Sequence, residues 1–122
     1  MTGHARISEF SDDLFECINS AIAVGDEITT LSRKQPNWIA SIDRTGIWVE
    51  TEASRFKDKG AKFVPAWMFD TAWNHLRQNK TLRQDELLRG LKVHRSAFVC
   101  ALLARFPGVV VHYEPSTTLA LS

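Results

Sequence analysis

The stretch from Pro65 to Leu121 constrains the fold most, because its breakers and apolar spacing leave room for one order of elements. Pro65 suits the first position of a helix, where a missing N–H removes no bond. Met68, Phe69, Ala72, Trp73 and Leu76 then form a stripe at helical spacing to about Gln78. Asn79-Lys80-Thr81 interrupts it. A short second helix is predicted from Thr81 or Leu82 through Leu88, followed by a tight turn at Gly90-Leu91-Lys92 and a third helix from His94 to Arg105. Phe106-Pro107-Gly108 stops that helix, since proline disfavours helical dihedrals in the residue before it. Val109–Tyr113 reads as a strand, and Thr118–Leu121 returns as a second after the turn Glu114–Thr117.

Upstream, a helix is predicted over residues 12–24. Ser11 is placed to cap it, Asp12 and Asp13 suit the positive end of its dipole, and Phe10 and Phe15 occupy staple positions. Gly25 is placed to end it. Three short strands follow, Ile28–Ser32, Trp38–Ile42 and Ile47–Thr51, the last two joined by Asp43-Arg44-Thr45-Gly46. They are expected to form an antiparallel meander with Glu50 on its exposed face and Trp38 or Trp48 on its covered face. Residues 53–62 read as a polar, basic connector.

With 122 residues, the chain is expected to form a single α+β domain: an acidic helix plus meander over 1–54, packed on the unit at 62–122. At 44% hydrophobic it is neither a disordered tail nor a fibre. The N-terminal residues lack an apolar leader, and no apolar run approaches the ~20 residues that span a bilayer. A cytoplasmic protein without membrane contact is therefore expected, with Cys17 and Cys100 as reduced, buried thiols. The histidines and cysteines show no ligand spacing, so no metal and no cofactor is expected.

The net charge of +1 conceals an asymmetry. Residues 1–54 carry four Lys and Arg against nine Asp and Glu, whereas residues 55–105 carry eleven against four. Such a division fits either a polyanion-binding face or mutual attraction between the halves.

The order helix, short helix, glycine turn, helix, hairpin resembles a winged helix-turn-helix domain over about residues 64–121. The resemblance is carried by Gln84–Arg89, Gly90-Leu91-Lys92, His94-Arg95-Ser96 and the hairpin around Glu114–Thr118. The texture of Ile47–Glu52 and of Leu102–Val109 is also similar to modules attached to bacterial restriction and genome-defence proteins. The resemblance implies a third helix that enters the major groove of double-stranded DNA and a wing that touches the backbone. Its function would be that of a non-enzymatic module in bacterial or phage gene regulation or defence, as a homodimer or within a larger assembly. Three features depart from the pattern. Glu86 stands where a small residue is common, the wing turn lacks Lys and Arg, and the third helix is apolar beyond its first turn.

The DNA-contacting residues implied are Lys80, Arg83, Arg89, Lys92, His94, Arg95 and Ser96, with Arg105 in the wider basic set. A protein-interaction module is the alternative, using the small positions Ala97, Cys100, Ala101 and Ala104 as a docking face. Of the four tryptophans, at least three are expected to pack between meander and helices. Asp43, Glu50 and Glu52 resemble nuclease carboxylates, but Ser54 stands where such sites place a lysine. They are expected to be surface acids, and no enzyme is expected.

Overall fold

The computed structural model describes residues 7–57 and 60–122. Its first helix, α1 (Asp12–Ala21), starts as its cap implies: Leu14 N–H donates to Ser11 Oγ at 3.2 Å. The Phe10 and Phe15 rings stack at 6.0 Å between centroids, completing the staple. The helix ends before Gly25, with Ile22 as its C-cap in extended conformation. Phe10 N–H donates to Arg44 O, which ties the start of α1 to the central hairpin.

Four strands form the first sheet: β1 (Glu27–Thr29), β2 (Pro36–Asp43), β3 (Gly46–Thr51) and β4 (Lys62–Pro65), antiparallel and in that order. The expected meander thus gains a strand from the end of the presumed connector. Val64 turns inward opposite Ile47, and Phe63 outward opposite Trp48. The rest of that connector holds α2 (Glu52–Phe56), started by reciprocal bonds between Thr51 and Ser54. Gly46 is required by proximity: a Cβ there would collide with the Val64 carbonyl oxygen.

The faces of this sheet correct the sequence expectation for the tryptophans. Ile28, Ile39, Ile47, Val49 and Val64 point inward and are buried. Trp38 lies opposite Glu50 and Trp48 opposite Phe63, so both tryptophans share the outer face with Glu50. Trp67 and Trp73 do pack against the core.

The second half runs α3 (Ala66–Asn79), β5 (Thr81–Arg83), α4 (Gln84–Arg89), α5 (Ser96–Leu103), β6 (Val109–His112) and β7 (Thr118–Leu121). Pro65 is the N-cap of α3 rather than its first residue. Thr81–Arg83, expected to open the second helix, is a strand. Leu82 is buried between exposed neighbours and pairs with Leu119, giving an antiparallel sheet ordered β5-β7-β6. In the turn after α4 the left-handed residue is Lys92, at φ +60°, whereas Gly90 keeps helical dihedrals.

A continuous core joins the two halves. Phe69 packs on Phe10 from one side and on Phe98 from the other, at 5.7 and 6.1 Å. Strand β1 packs against α5, as do α3 and α4. Arg105 donates from Nη2 to Glu27 O at 2.9 Å. Seven of the eight residues of α5 are consequently buried, all but Ala97. Cys100 is buried, Cys17 is half-buried, and both are free thiols. Among the described residues, no helix is long and apolar enough to cross a membrane.

Candidate nucleic-acid interface

The body of α5 cannot meet a DNA groove while β1 covers it, because reading bases requires exposed polar side chains along the helix. Only the start of α5 reaches solvent. His94 is exposed, Arg95 is half-buried, and Ser96 is 5% exposed. These three implied contact residues line a groove of about 360 Å³ between the start of α5 and the turn joining β1 to β2.

That turn is firmly held. Thr30 and Gln35 bond twice, through Thr30 N–H to Gln35 O and Gln35 N–H to Thr30 Oγ1, both at 2.9 Å. Ser32 and Thr117 share a hydroxyl hydrogen bond of 2.7 Å. Lys34 Nζ donates to the Tyr113 hydroxyl at 3.3 Å and lies 4.7 Å from that ring's centre. The tip of the β6–β7 hairpin therefore clasps the N-terminal layer, with Arg33 in the clasped turn beside α5.

The charge of the groove is one-sided. Arg33, His94 and Arg95 line it together with amide and hydroxyl side chains, and among the described residues no carboxylate does. Among the described residues neither guanidinium has an ion-pair partner. Among the described residues, Ser96 has no side-chain hydrogen-bond partner, and Gln84, also in the lining, buries its Oε1 without one. The groove continues past Asn37 and Thr51 into a second cleft of about 470 Å³ beside α2.

The other implied contacts divide. Arg89 and Lys92 are exposed on the segment that leads into α5. Arg83 lies 3.6 Å from Asp85, so its charge is partly met. Lys80 caps α3 and lines a separate depression with Asn74, Arg77 and Gln78. Arg105 is turned to the Glu27 carbonyl. Arg33 completes the groove but carries no local sequence signal, because its partners lie some sixty residues away in the chain.

Among the described residues, no group of three or more His, Cys, Asp and Glu side chains is placed to hold a metal ion. Asp43 accepts from Thr45, whose side-chain and backbone hydrogen bonds hold its carboxyl below the ordinary value. Glu50 lies 3.9 Å from Arg55, whose guanidinium stacks over Trp38. Of the small positions expected to form a docking face, Cys100 and Ala101 are buried in the chain's own core, whereas Ala97 and Ala104 are half-buried.

Neither family models, curated proteins nor solved structures yield a match to this chain.

Proposed function

We propose that the protein is a non-enzymatic DNA-binding module, serving gene control or genome defence, that grips the phosphate backbone at the groove beside α5. The observation that carries this reading is the pair of guanidinium groups, Arg33 and Arg95, that among the described residues have no ion-pair partner and share a lining without a carboxylate. The order of α3 through β7 and the β5-β7-β6 sheet support a winged-helix-like unit. Because the flank of α5 is covered, affinity comes from phosphates more than from base edges, and sequence preference is weak.

Arg33, Arg89, Lys92 and Arg95 are the cations available to this surface. If each neutralises one phosphate, log K falls against log salt with a slope of about −3.6, which lowers affinity about a hundredfold between ~50 and ~200 mM salt. Fluorescence anisotropy on a labelled duplex tests this. Lys92→Ala with Arg95→Ala should weaken binding by about tenfold or more, while Lys80→Ala should leave it nearly unchanged. Undetectable binding at tens of micromolar, or equal losses in both variants, would refute it.

A second reading, a protein-interaction module, is favoured by the outer face of the first sheet. Trp48 and Phe63 stack at 4.9 Å there, exposed by 39% and 37%, and Phe56 on α2 is 94% exposed. A dimer insensitive to salt by light scattering and lost in Trp48→Ser with Phe63→Ser would establish it. A monomer at high concentration would eliminate self-association through this face.

A further inference from the structure

We infer that the groove beside α5 seats one unpaired nucleotide: a phosphate on its cationic rim and, deeper, a base bearing an exocyclic amino group. The inference rests on the DNA-binding reading and adds the chemistry of the unit that enters. A backbone track needs only a convex cationic surface, but this site is recessed. Thr30, Asn37 and Ser96, each more than nine-tenths buried, form part of its lining. Its volume lies at the lower end of the ~300–1,000 Å³ typical of small-ligand sites.

The polar groups left over define what fits. Arg33, Arg95 and the Ser96 hydroxyl supply donors for an anion. The Asn37 amide is oriented by its own bonds, since Nδ2 donates to Ile28 O at 3.4 Å and to Gln35 O at 3.3 Å. Both donors are thereby used, and Oδ1 is left as an acceptor. Gln84 Oε1 is a second acceptor, buried and without a partner. An unmet buried acceptor costs free energy that an N–H donor on the ligand would recover. Phe98, Leu88 and Ala97 add an apolar surface for a planar ring.

Anion, flat apolar face and an amino group with two hydrogens for the two acceptors together describe a nucleotide of adenine, cytosine or guanine. Thymine has no exocyclic amino group, and its single N–H, at N3, can meet only one of them. In a duplex one hydrogen of that group is committed to pairing and the base is held in the stack, out of reach of a recessed groove, so the seated unit is a free mononucleotide or an unpaired nucleotide in a strand.

Amide-resolved NMR titration of the intact protein with dAMP, dTMP and inorganic phosphate tests the inference. Anisotropy of a blunt duplex, and of duplexes carrying one unpaired dA or dT, runs beside it. The expected result is shift changes centred on Thr30–Asn37 and His94–Phe98, with dAMP about fivefold tighter than dTMP, as one additional hydrogen bond implies. Phosphate alone should bind more weakly than either. Gln84→Met should narrow the preference for dAMP over dTMP. A preference for the unpaired-dA duplex over both others would assign the source to a strand; dAMP preference without it would assign a free nucleotide. Equal affinity for dAMP, dTMP and phosphate overturns the inference but leaves the DNA-binding reading intact if the blunt duplex binds with the expected salt slope. Loss of all binding overturns both.

Discussion

Truncating Ile28 to alanine should destabilise the whole chain rather than the N-terminal layer alone. Ile28 is 1% exposed on β1, the strand packed against α5. The substitution removes three carbons, worth about 2.4 kcal/mol at ~0.8 kcal/mol per methylene. The cavity adds to this, and a loss of about 3 kcal/mol falls within the ~2–5 kcal/mol range for such changes. That is a large share of the ~6–15 kcal/mol expected of a domain this size. With a urea m-value of about 1.5 kcal/mol/M, the unfolding midpoint should drop by about 2 M. Far-UV circular dichroism and tryptophan fluorescence should report the same midpoint, because Trp38 and Trp48 lie on the first sheet and Trp67 and Trp73 on α3. Amide exchange in α5 should accelerate together with that in β2 and β3. If α5 and the second sheet keep their wild-type protection while the first sheet loosens, the two halves are separate units. The reasoning about a shared core then fails.

Three further outcomes are expected. Burial pushes the Cys100 thiol up to about 12, whereas Cys17 is half-buried, so iodoacetamide at mildly alkaline pH should add one carbamidomethyl group to the native protein, at Cys17; mass spectrometry showing rapid labelling at Cys100 would contradict the packing of α5. Desolvation raises the Asp70 carboxyl above its ordinary value, outweighing the hydrogen bond from Asn74. The folded state therefore holds that proton more tightly than the unfolded chain, and the contribution of Asp70 to stability declines as pH rises through the carboxylate range. Asp70→Asn should be relatively more stable near pH 7 than near pH 3, and thermal melts showing the reverse would refute this. Gly46→Ala forces a Cβ against the Val64 carbonyl and should lower the melting temperature by several degrees through loosened β3–β4 pairing; a wild-type melt would mean that the strands separate there at little cost.

Local signals in the sequence were sufficient where the chain decides its structure locally. Ser11, Phe10 and Phe15 marked the start of α1, and the stripe from Met68 to Leu76 marked α3, because caps and helical spacing act within a few residues. The elements missed depend on distant partners. Thr81–Arg83 becomes a strand by pairing with residues some 37 positions later, and Lys62–Pro65 by pairing with β3 across a helix. The sequence pattern places Trp38 or Trp48 on the covered face, whereas both lie outward, because β2 and β3 carry large apolar side chains on both sides. A register shift between Ile39 and Ser41 further blurs the alternation. His94, Arg95 and Ser96, which the local pattern singles out, do line one groove at the start of α5. Arg33 is not singled out, since only the fold brings its turn to them, and the apolar run from Phe98 to Leu103 does not reveal that β1 covers it.

The most direct measurement is a double-mutant cycle on duplex binding with Arg33→Ala, Arg95→Ala and the two combined, at fixed low salt. A site built jointly by the N-terminal turn and α5 predicts a loss in each single variant and a combined loss that departs from additivity by about 0.5 kcal/mol or more. Wild-type binding in Arg33→Ala, with the entire loss confined to Arg95→Ala, would contradict a shared groove.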